Sequence, residues 1–417
     1  MRVVLFTGKG GVGKTTMAAA TAARIAADGG KTLVLSADPA HSLADALAVP
    51  TGTDLRGGPA EIAPGLFVEH IDAQRRLHQV WGELQGYLVA ALGAAGLDSI
   101  RAEELTVLPG AEELLALLAV REQAMSGRWD AVVVDCAPTA ETLRLLALPE
   151  ALGWYLGRAL PSELKVVRAL RPLLGPAIGL PQPRPQVWEA AEQLQAMLAD
   201  VQRLLNDADT SVRLVLTPES VVVAEARRSL TQLVLYGNRV DAVIANRVFQ
   251  PSDDPWRSRW TSAQQAVLDD VVTSFEPLPI LTADYQAGEP VGVEALAELG
   301  MDVYGDTDPL AGAAAGELMH VWREGRDYVM GLRLPLVERG SLDLTRVGDE
   351  LVVSVDGRRR LFALPSVFRR CVVAGARVEE GQVQIRFAPD PSYFPDFPDS
   401  PGFPGPPGDV DRSGGHR

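Results

Sequence analysis

The sequence predicts an α/β fold, a mainly parallel sheet flanked by helices, followed by a small C-terminal all-β sandwich. Three observations predict it. Short apolar runs and helical segments succeed each other over roughly the first 300 residues, as is typical of parallel sheets. One apolar run leads through a glycine-rich loop into an alanine-rich helix. After residue 325, short alternating runs separated by turn residues indicate antiparallel strands.

The glycine-rich loop fits the Walker A pattern of a P-loop NTPase. It follows the apolar run Val3–Phe6 and consists of Gly8, Lys9, Gly10, Gly11, Val12, Gly13, Lys14, Thr15 and Thr16. Glycines let N–H groups approach phosphate oxygens, and the helix N-terminus adds donors and partial positive charge. Lys14 supplies a full charge near the outer phosphates of ATP, and the Thr15 hydroxyl can ligate Mg²⁺. The alternative is a glycine-rich turn with a surface lysine.

The second strand, Thr32–Ser36, completes a β-α-β unit and is followed by Asp38. Ligands of parallel sheets bind at the carboxyl ends of the strands, where Asp38 is expected. An aspartate there can orient the water that attacks the γ-phosphate, or hold a water of the Mg²⁺ shell. It can equally cap the helix that begins near Ser42, and position alone leaves these roles open.

Two further strands end in polar residues. Asp135 follows the four apolar residues 131–134, which is the Walker B arrangement for holding Mg²⁺, often through water. Cys136 follows Asp135, and its thiol is either buried and unreactive or a reactive group. Asn246 ends the run 240–246 and can present a donor and an acceptor to an adenine edge. Its alternative role is that of a turn residue.

The other elements follow in chain order. We expect a loop over 51–64, a strand over 66–71, a long helix over 73–97 and a helix ending at Met125. A helix over 143–149 precedes a helical insertion over about 150–210, which contains a clear helix at 187–205. Strands are expected at 212–217 and 276–281. The predicted domains are an ATPase domain over 1–310, a linker helix over 311–324, a sandwich over 325–388 with a hairpin at Asp356-Gly357, and a disordered tail over 389–417.

The amino-acid composition argues against several classes of function. The 417 residues are 47% apolar and carry a net charge of −15, which argues against general binding of nucleic acid or anionic lipid. Two cysteines cannot build a disulfide framework or a cysteine-rich metal site. No apolar stretch reaches the ~20 residues that span a bilayer, so we expect a cytoplasmic protein.

The motifs resemble those of a known family. The second lysine of the loop, Lys9, makes it similar to the deviant Walker A loops of the ParA, MinD, nitrogenase iron protein and ArsA ATPases. Asp-Pro-Ala-His-Ser-Leu at 38–43 resembles Switch I of the ArsA family, the arsenite-pump and tail-anchored-protein-targeting ATPases, and the segment from Asp135 resembles its Switch II. The resemblance implies a homodimer closing around two ATP molecules, with Lys9 reaching the partner's nucleotide and Asp38 positioning the water. The resemblance supports Asn246 as the residue that contacts adenine. His41 matches the Switch I signature, but we assign it no chemical role.

The chain also departs from that family. Cys136, Ala140 and Glu141 replace the usual Thr, Gly and His of Switch II. The segment after Asn246 lacks the Cys-x-x-Cys of zinc-binding members, and the thiolates of arsenite-binding members are absent. In the targeting members of the family, helices at the place of the insertion build the groove that binds a client's membrane anchor. The alternatives for this chain are ordinary packing of these helices against the sheet, or contact of residues 165–171 with a membrane surface. The sandwich looks like the α-crystallin-type domain of some ArsA-like proteins, or is a generic β module.

We therefore expect a Mg²⁺-dependent ATPase of the arsenical pump-driving class, a dimer coupled to a client or a membrane-protein partner, with basal hydrolysis that metalloids do not stimulate. The alternative of another class is a nucleotide-switched chaperone or targeting factor that binds apolar polypeptide segments. A partitioning ATPase like ParA or MinD is a further alternative. The insertion, the β module and the lack of a basic C-terminal amphipathic helix argue against it.

Overall fold

The computed structural model describes residues 1–37, 42–71, 111–137, 139, 142–143, 146, 185–312, 319–337, 339–364, 366–379 and 381–390. The chain divides into two compact units. The first comprises residues 1–226 and 238–313, and the second comprises residues 227–237 together with the chain from 314 onward.

An eight-stranded sheet is the centre of the first unit. Its strands are β1 (Arg2–Thr7), β2 (Thr32–Ser36), β3 (Ala60–Ala63), β4 (Leu66–His70), β5 (Ala131–Asp135), β6 (Thr210–Leu216), β7 (Val240–Val248) and β8 (Ile280–Asp284). The spatial order is β3-β4-β2-β5-β1-β6-β7-β8, and every neighbouring pair is parallel except β3 and β4. Every residue of β1, β2, β5 and β6 is buried, which explains why these strands are nearly continuous apolar runs. The predicted parallel α/β sheet is confirmed.

Seven helices of the described residues accompany the sheet. They are α1 (Lys14–Ala27), α2 (Ser42–Ala46), α3 (Ala111–Met125), α4 (Pro185–Asn206), α5 (Ser220–Leu235), α6 (Pro255–Phe275) and α7 (Val293–Tyr304). The small side chains of α1 are almost all buried, because this helix lies between the sheet and α7. The helix predicted at 187–205 is confirmed as α4, with one to two more residues at each end.

A buried charge network holds the amino ends of β1, β6 and β7 together. The Asp241 carboxylate accepts hydrogen bonds from Arg2, Arg213 and Ser211. Arg213 also donates to the Tyr304 hydroxyl, 2.9 Å away, and to the carbonyl oxygen of Pro309. The two arginines and the aspartate are more than nine-tenths buried, so each needs these partners. The network fixes the end of α7 and the segment after it on the side of the sheet opposite the glycine loop.

The second unit is a β-sandwich. Its strands are β9 (Met319–Glu324), β10 (Asp327–Arg333), β11 (Leu342–Val347), β12 (Glu350–Val355), β13 (Arg358–Ala363), β14 (Cys371–Glu379) and β15 (Gln382–Pro389). They form antiparallel sheets in the orders β14-β15-β10-β9 and β11-β12-β13. Asp356 and Gly357 both have positive φ, as a two-residue hairpin turn requires, so the predicted hairpin is confirmed.

The core of this sandwich includes a helix end. Leu235, the last residue of α5, is fully buried among residues such as Phe368 and Phe387. Thr231 of α5 donates a hydrogen bond to the Pro335 carbonyl oxygen at 2.6 Å. The last two turns of α5 therefore complete the second unit, although they lie more than 80 residues before its first strand.

Three expectations about elements are wrong. The predicted loop over 51–64 contains the edge strand β3, which is only partly buried and so lacks a clear apolar pattern. The linker helix over 311–324 is a strand over its last six residues, because Met319–Glu324 pairs with β10 and the pairing overrides helix propensity. In addition, β8 begins at Ile280 rather than at residue 276.

Several expectations lie outside the described residues. These are the helix over 73–97, Asp38 and His41, Ala140 and Glu141, the part of the insertion over 150–184 with its 165–171 helix, and residues 391–417. The domain boundaries stay predictions.

Candidate functional site

The glycine loop joins β1 to α1 in the middle of the sheet, at the carboxyl ends of the strands. Four of its carbonyl oxygens accept hydrogen bonds from residues outside the loop. The donors and acceptors are Thr139 N to Gly8 O (3.3 Å), Arg247 Nη1 to Gly11 O (3.0 Å), Asn246 Nδ2 to Val12 O (2.8 Å) and Met17 N to Gly13 O (2.9 Å). The loop is thus fixed by side chains and backbone from β7, α1 and the segment after β5.

Two of the loop glycines have no room for a side chain. A Cβ atom on Gly8 would lie 2.1 Å from the backbone oxygen of Val215 on β6. A Cβ atom on Gly13 would lie 2.3 Å from Nδ2 of Asn246. The backbone of Gly13 has a φ of 94°, a conformation that residues other than glycine rarely adopt. Glycine at these positions is therefore what lets the loop lie against β6 and β7.

The opposite side of the loop is suited to an anion. The first turn of α1 leaves N–H groups without intrahelical acceptors, and Gly13 at the N-cap supplies no side-chain acceptor to them. Lys14 is only 6% exposed and forms no ion pair within 4 Å with any described carboxylate. A buried ammonium group is stable only beside a negative charge. Amide donors, helix dipole and Lys14 together favour a phosphate chain at this place.

Oxygen ligands for a divalent cation lie beside the loop. The Thr15 and Ser42 hydroxyl oxygens are 3.3 Å apart, which links the loop to the start of α2. Asp135 is fully buried at the end of β5, in register with Phe6 of β1 and Ser36 of β2. Hydroxyl and carboxylate oxygens are the ligands that Mg²⁺ prefers, with phosphates and water completing its shell. This donor set fits Mg²⁺, and no group of three or more His, Cys, Asp or Glu among the described residues would replace it.

Cys136 follows Asp135 and is almost fully buried. Burial, and secondly the charge of Asp135, raise the pKa of its thiol far above the usual range, while Lys14 partly opposes this shift. The thiol therefore stays protonated at physiological pH and is a poor nucleophile. Of the two roles that the sequence left open for Cys136, a buried thiol or a reactive one, the structure favours the buried thiol.

Lys9 lies at the entrance of the loop with a side chain 39% exposed. Its Nζ atom is 3.9 Å from an Oε atom of Glu225, on the first half of α5. An exposed ion pair at this distance contributes at most about 1 kcal/mol. Lys9 is thus held near the loop by a contact that a stronger anion can replace.

Asn246 and Arg247 lie at the end of β7 and both bind the loop. Asn246 donates to Val12 O and accepts from the Arg247 N–H, also at 2.8 Å. One amide hydrogen and one lone pair of its side chain are not used by these two bonds, so contact with a base stays a prediction. The loop contacts of Arg247 and Ser42 were missed by sequence reasoning, because nothing in either residue's local pattern indicates them.

Comparison with known proteins identifies the family. The model of the anion-transporting ATPase family ArsA matches residues 1–305. The chain belongs to the ArsA ATPase family. The model of the HSP20-like domain found in ArsA proteins matches residues 325–387, which agrees with the observed sandwich.

Similar proteins cover nearly the whole chain. A Chlorobaculum tepidum protein named "Putative arsenical pump-driving ATPase" is 36% identical over 370 residues, 88% of this chain and 90% of its own. An uncharacterized Streptomyces coelicolor protein is 38% identical over 399 residues, 95% of this chain and 99% of its own. ATPase GET3 of Podospora anserina is 27% identical over 303 residues, 71% of this chain and 88% of its own.

This ArsA-family chain is thus an ATPase that uses a nucleotide. None of the helices in the described ranges is both long and apolar enough to cross a membrane.

Proposed function

We propose that the chain is a Mg²⁺-dependent ATPase that works as a homodimer, closed by ATP and reopened by hydrolysis. Lys14 and the loop amides bind the phosphates, Thr15 and Asp135 hold the Mg²⁺ shell, and Asp38 positions the attacking water. Mg²⁺, when bound, neutralises charge that develops on the phosphates. We propose a cytoplasmic location and a polypeptide client or membrane-protein partner.

The observation that carries this proposal is the buried Lys14 without a described anionic partner, beside a loop in which the carbonyl oxygens of Gly8, Gly11 and Val12 accept hydrogen bonds from other parts of the protein. Charge neutralisation and fixed N–H donors are the main contributions a protein makes to phosphoryl transfer. A turn with a surface lysine, the alternative considered from the sequence, would leave Lys14 exposed.

The dimer is proposed from Lys9. Its ammonium group is too exposed, and its contact with Glu225 too long, to be a structural requirement of one chain. We propose that Lys9 acts in trans, on the nucleotide of the partner, while Asp38 acts in cis. This division of roles makes each nucleotide site incomplete without a second copy.

A mixing experiment tests the assignment in trans. We expect Lys9→Ala and Asp38→Asn to abolish the steady-state ATPase rate of each variant alone. A 1:1 mixture should recover about a quarter of the wild-type rate, because half of the dimers are mixed and one of their two sites is intact. Arg228→Ala, an exposed cation on the same helix as Glu225, is the control and should keep the wild-type rate. A mixture without activity would contradict the assignment of Lys9 to the partner's site.

Arsenite or antimonite is not expected to stimulate the rate. Soft metalloids bind several thiolates together, whereas the only two cysteines, Cys136 and Cys371, are both buried and lie in different units. The check is the ATPase rate with and without metalloid, with Cys136→Ala and Cys371→Ala as controls. A large stimulation that either variant removes would restore the pump assignment.

A second candidate function is a nucleotide-switched chaperone, favoured by the HSP20-like match and the observed antiparallel sandwich. The probe is chemically unfolded citrate synthase, whose aggregation is followed by light scattering. If Asp38→Asn with bound ATP suppresses aggregation as well as the wild type does, nucleotide binding suffices and hydrolysis is incidental. If neither protein suppresses aggregation, the chaperone function is wrong for this class of client.

A further inference from the structure

Arg247, near the end of β7, has a backbone conformation that is unusual for an arginine. Its φ is 61°, in the left-handed region that residues other than glycine rarely adopt. The pairing of β7 with β8 shifts at this point, because Asn246 pairs with Ala283 and Val248 pairs with Asp284, so that Arg247 is an extra residue between them. A bulge beside a functional site often redirects a side chain. The strained backbone indicates that the direction of this side chain matters.

Two buried side chains hold the backbone of Arg247 in this conformation. Asn246 Oδ1 accepts a hydrogen bond from Arg247 N at 2.8 Å. Gln264, on α6, donates from Nε2 to the Arg247 carbonyl oxygen at 3.1 Å and accepts from Phe249 N at 2.7 Å. Both side chains are 6% exposed, so water does not readily replace these bonds. The bulge is therefore built into the fold and is present before a ligand binds.

The Arg247 side chain reaches the glycine loop, where Nη1 donates to the Gly11 carbonyl oxygen at 3.0 Å. The peptide bond after Gly11 is planar and trans, so a carbonyl oxygen that points to Arg247 sends the Val12 N–H in the opposite direction. Asn246 does the same for the next peptide, because its Nδ2 holds Val12 O at 2.8 Å and the Gly13 N–H then points away from β7. Both N–H groups thus point to the side of the loop that the first turn of α1 makes suitable for an anion.

The peptide after Gly11 has room to turn over. Gly11 has a φ of 83°, and a Cβ atom placed on it would meet nothing within 4 Å. Glycine's own backbone preferences do not oppose such a rotation. A turned peptide would present a carbonyl oxygen, rather than an N–H group, to a phosphate. The bond from Arg247 therefore favours the orientation that binds an anion.

We propose that Arg247 and Gln264 are positioning residues for the nucleotide. Gln264 holds Arg247 in the bulge, and Arg247 holds the Gly11 carbonyl oxygen so that the Val12 N–H donates to a phosphate. Donors that are fixed before binding lose little entropy when the ligand arrives and need no reorganisation. The inference rests on the proposed phosphate site at the glycine loop, to which it adds one residue from β7 and one from α6.

Solvent limits the size of the effect. Arg247 is exposed, so water competes for its guanidinium group, and its bond to the loop contributes less than a buried bond from a charged donor. We expect the loss of this bond to weaken phosphate binding about fivefold. The alternative is that the guanidinium group only attracts phosphate by its charge, without orienting the peptide.

The test is isothermal titration calorimetry of the full chain with inorganic tripolyphosphate and with Mg·ATP. Arg247→Gly removes the guanidinium group and relieves the left-handed strain. The dissociation constants of both ligands should rise about fivefold, while the melting temperature stays within about 2 °C of the wild type. Gln265→Ala is the control, because Gln265 is exposed beside Gln264 and bonds only to Asp269 of the same helix among the described residues. It should change neither quantity.

Steady-state kinetics separate positioning from a structural role. The KM for ATP of Arg247→Gly should rise about fivefold with kcat within about twofold of the wild type, because the loop amides contact the phosphates in the ground state and the transition state alike. A fall of several degrees in melting temperature, with kcat and affinity reduced together, would make Arg247 a structural residue and overturn the assignment.

A double variant tests the order of action. Gln264→Met removes both amide bonds but leaves the Arg247 charge in place, so a fivefold loss of tripolyphosphate affinity in this variant excludes a pure charge effect. If Gln264 acts through Arg247, Arg247→Gly/Gln264→Met should bind no more weakly than Arg247→Gly alone. Independent effects would multiply to about 25-fold, and that result would overturn the role of Gln264.

Lys14→Ala distinguishes a failure of this inference from a failure of the proposed site. If Lys14→Ala strongly lowers tripolyphosphate affinity and Arg247→Gly does not, the assignment of Arg247 is wrong and the proposed site stands. If Lys14→Ala binds tripolyphosphate as well as the wild type does, the glycine loop is not the phosphate site and both are wrong. A loss by Arg247→Gly that is confined to ATP would place Arg247 on the base or ribose and overturn its role at the loop.

Discussion

Replacing Asn246 by alanine separates two roles that this residue could have. As an adenine contact it would act on the base, whereas the structure shows it bonded to the glycine loop. The substitution removes the Nδ2 bond to Val12 O and the Oδ1 bond from Arg247 N, each 2.8 Å long. Asn246 and Val12 are 6% and 3% exposed, so water does not readily replace the lost partners.

The size of the effect follows from these two bonds. A hydrogen bond contributes about 1 kcal/mol, and a buried group left without its partner costs about 1–3 kcal/mol. We therefore expect a loss of about 2–4 kcal/mol in the free energy of unfolding. For a domain of this size that is a fall of about 4–8 °C in melting temperature. If about 1.4 kcal/mol of it is needed to hold the loop, nucleotide affinity falls about tenfold.

The assay compares ATP, GTP and inorganic tripolyphosphate by isothermal titration calorimetry, alongside thermal unfolding. An anchor for the loop lowers the affinity of all three ligands by a similar factor, since all share the phosphate chain. Asn246→Asp is the matched variant. It keeps the acceptor for Arg247 N but places an oxygen against Val12 O, so we expect a loss at least as large as that of alanine.

The opposite pattern would refute this reasoning. An unchanged melting temperature and unchanged tripolyphosphate affinity, with a reduced preference for ATP over GTP, would mean that Asn246 reads the base and that the loop stays in place without it.

Three further predictions concern packing and pH. Gly8→Ala forces a Cβ atom to 2.1 Å from a β6 backbone oxygen, and urea unfolding should show a loss of about 3 kcal/mol or more. Gly331→Ala places a Cβ atom 2.5 Å from the His320 ring and should lower the sandwich's stability by about 1–3 kcal/mol in thermal unfolding, whereas Gly340→Ala, with open space around it, should not. Burial raises the pKa of Cys136, so the folded state keeps a proton that the unfolded thiol loses above about pH 8.5. Stability should then fall as pH rises from 8 to 10, and less steeply in Cys136→Ala; equal slopes in urea titrations would contradict this.

The central strands could be predicted from sequence because they are buried on both faces. Runs such as 131–134 and 214–216 are apolar without interruption, as is typical of the strands of a parallel sheet. The edge strands do not show a continuous apolar run of this kind. β3 and β9 are largely half-exposed or exposed, so neither face imposes an apolar pattern, and only pairing with a neighbour defines them.

Helix α6 was missed for a similar reason. Of its 21 residues only Gln264, Leu268, Val271 and Phe275 are buried, and none of these lies in the first nine residues, so the first turns carry no apolar periodicity. The cap Asp254 followed by Pro255 was a usable signal for its start.

The glycine loop could be predicted, but the residues that hold it could not. Its spacing is a local pattern determined by phosphate binding. Asn246 and Arg247 contact the loop across more than 230 residues of sequence, and Ser42 across 27. Contacts of this kind depend on which strands become neighbours in the sheet, and that order is a property of the folded chain.

The helix end within the sandwich core has a consequence for synthesis on the ribosome. Leu235 leaves the ribosome about 150 residues before β15, which at 5–20 residues per second is roughly 8–30 s earlier. During that interval the last turns of α5 have no strands to cover their apolar side, while the strands of the large sheet through β8 are being completed. The nascent chain therefore exposes an apolar helix end until its last strands are made, and this interval is when it most needs a chaperone or low crowding to avoid aggregation.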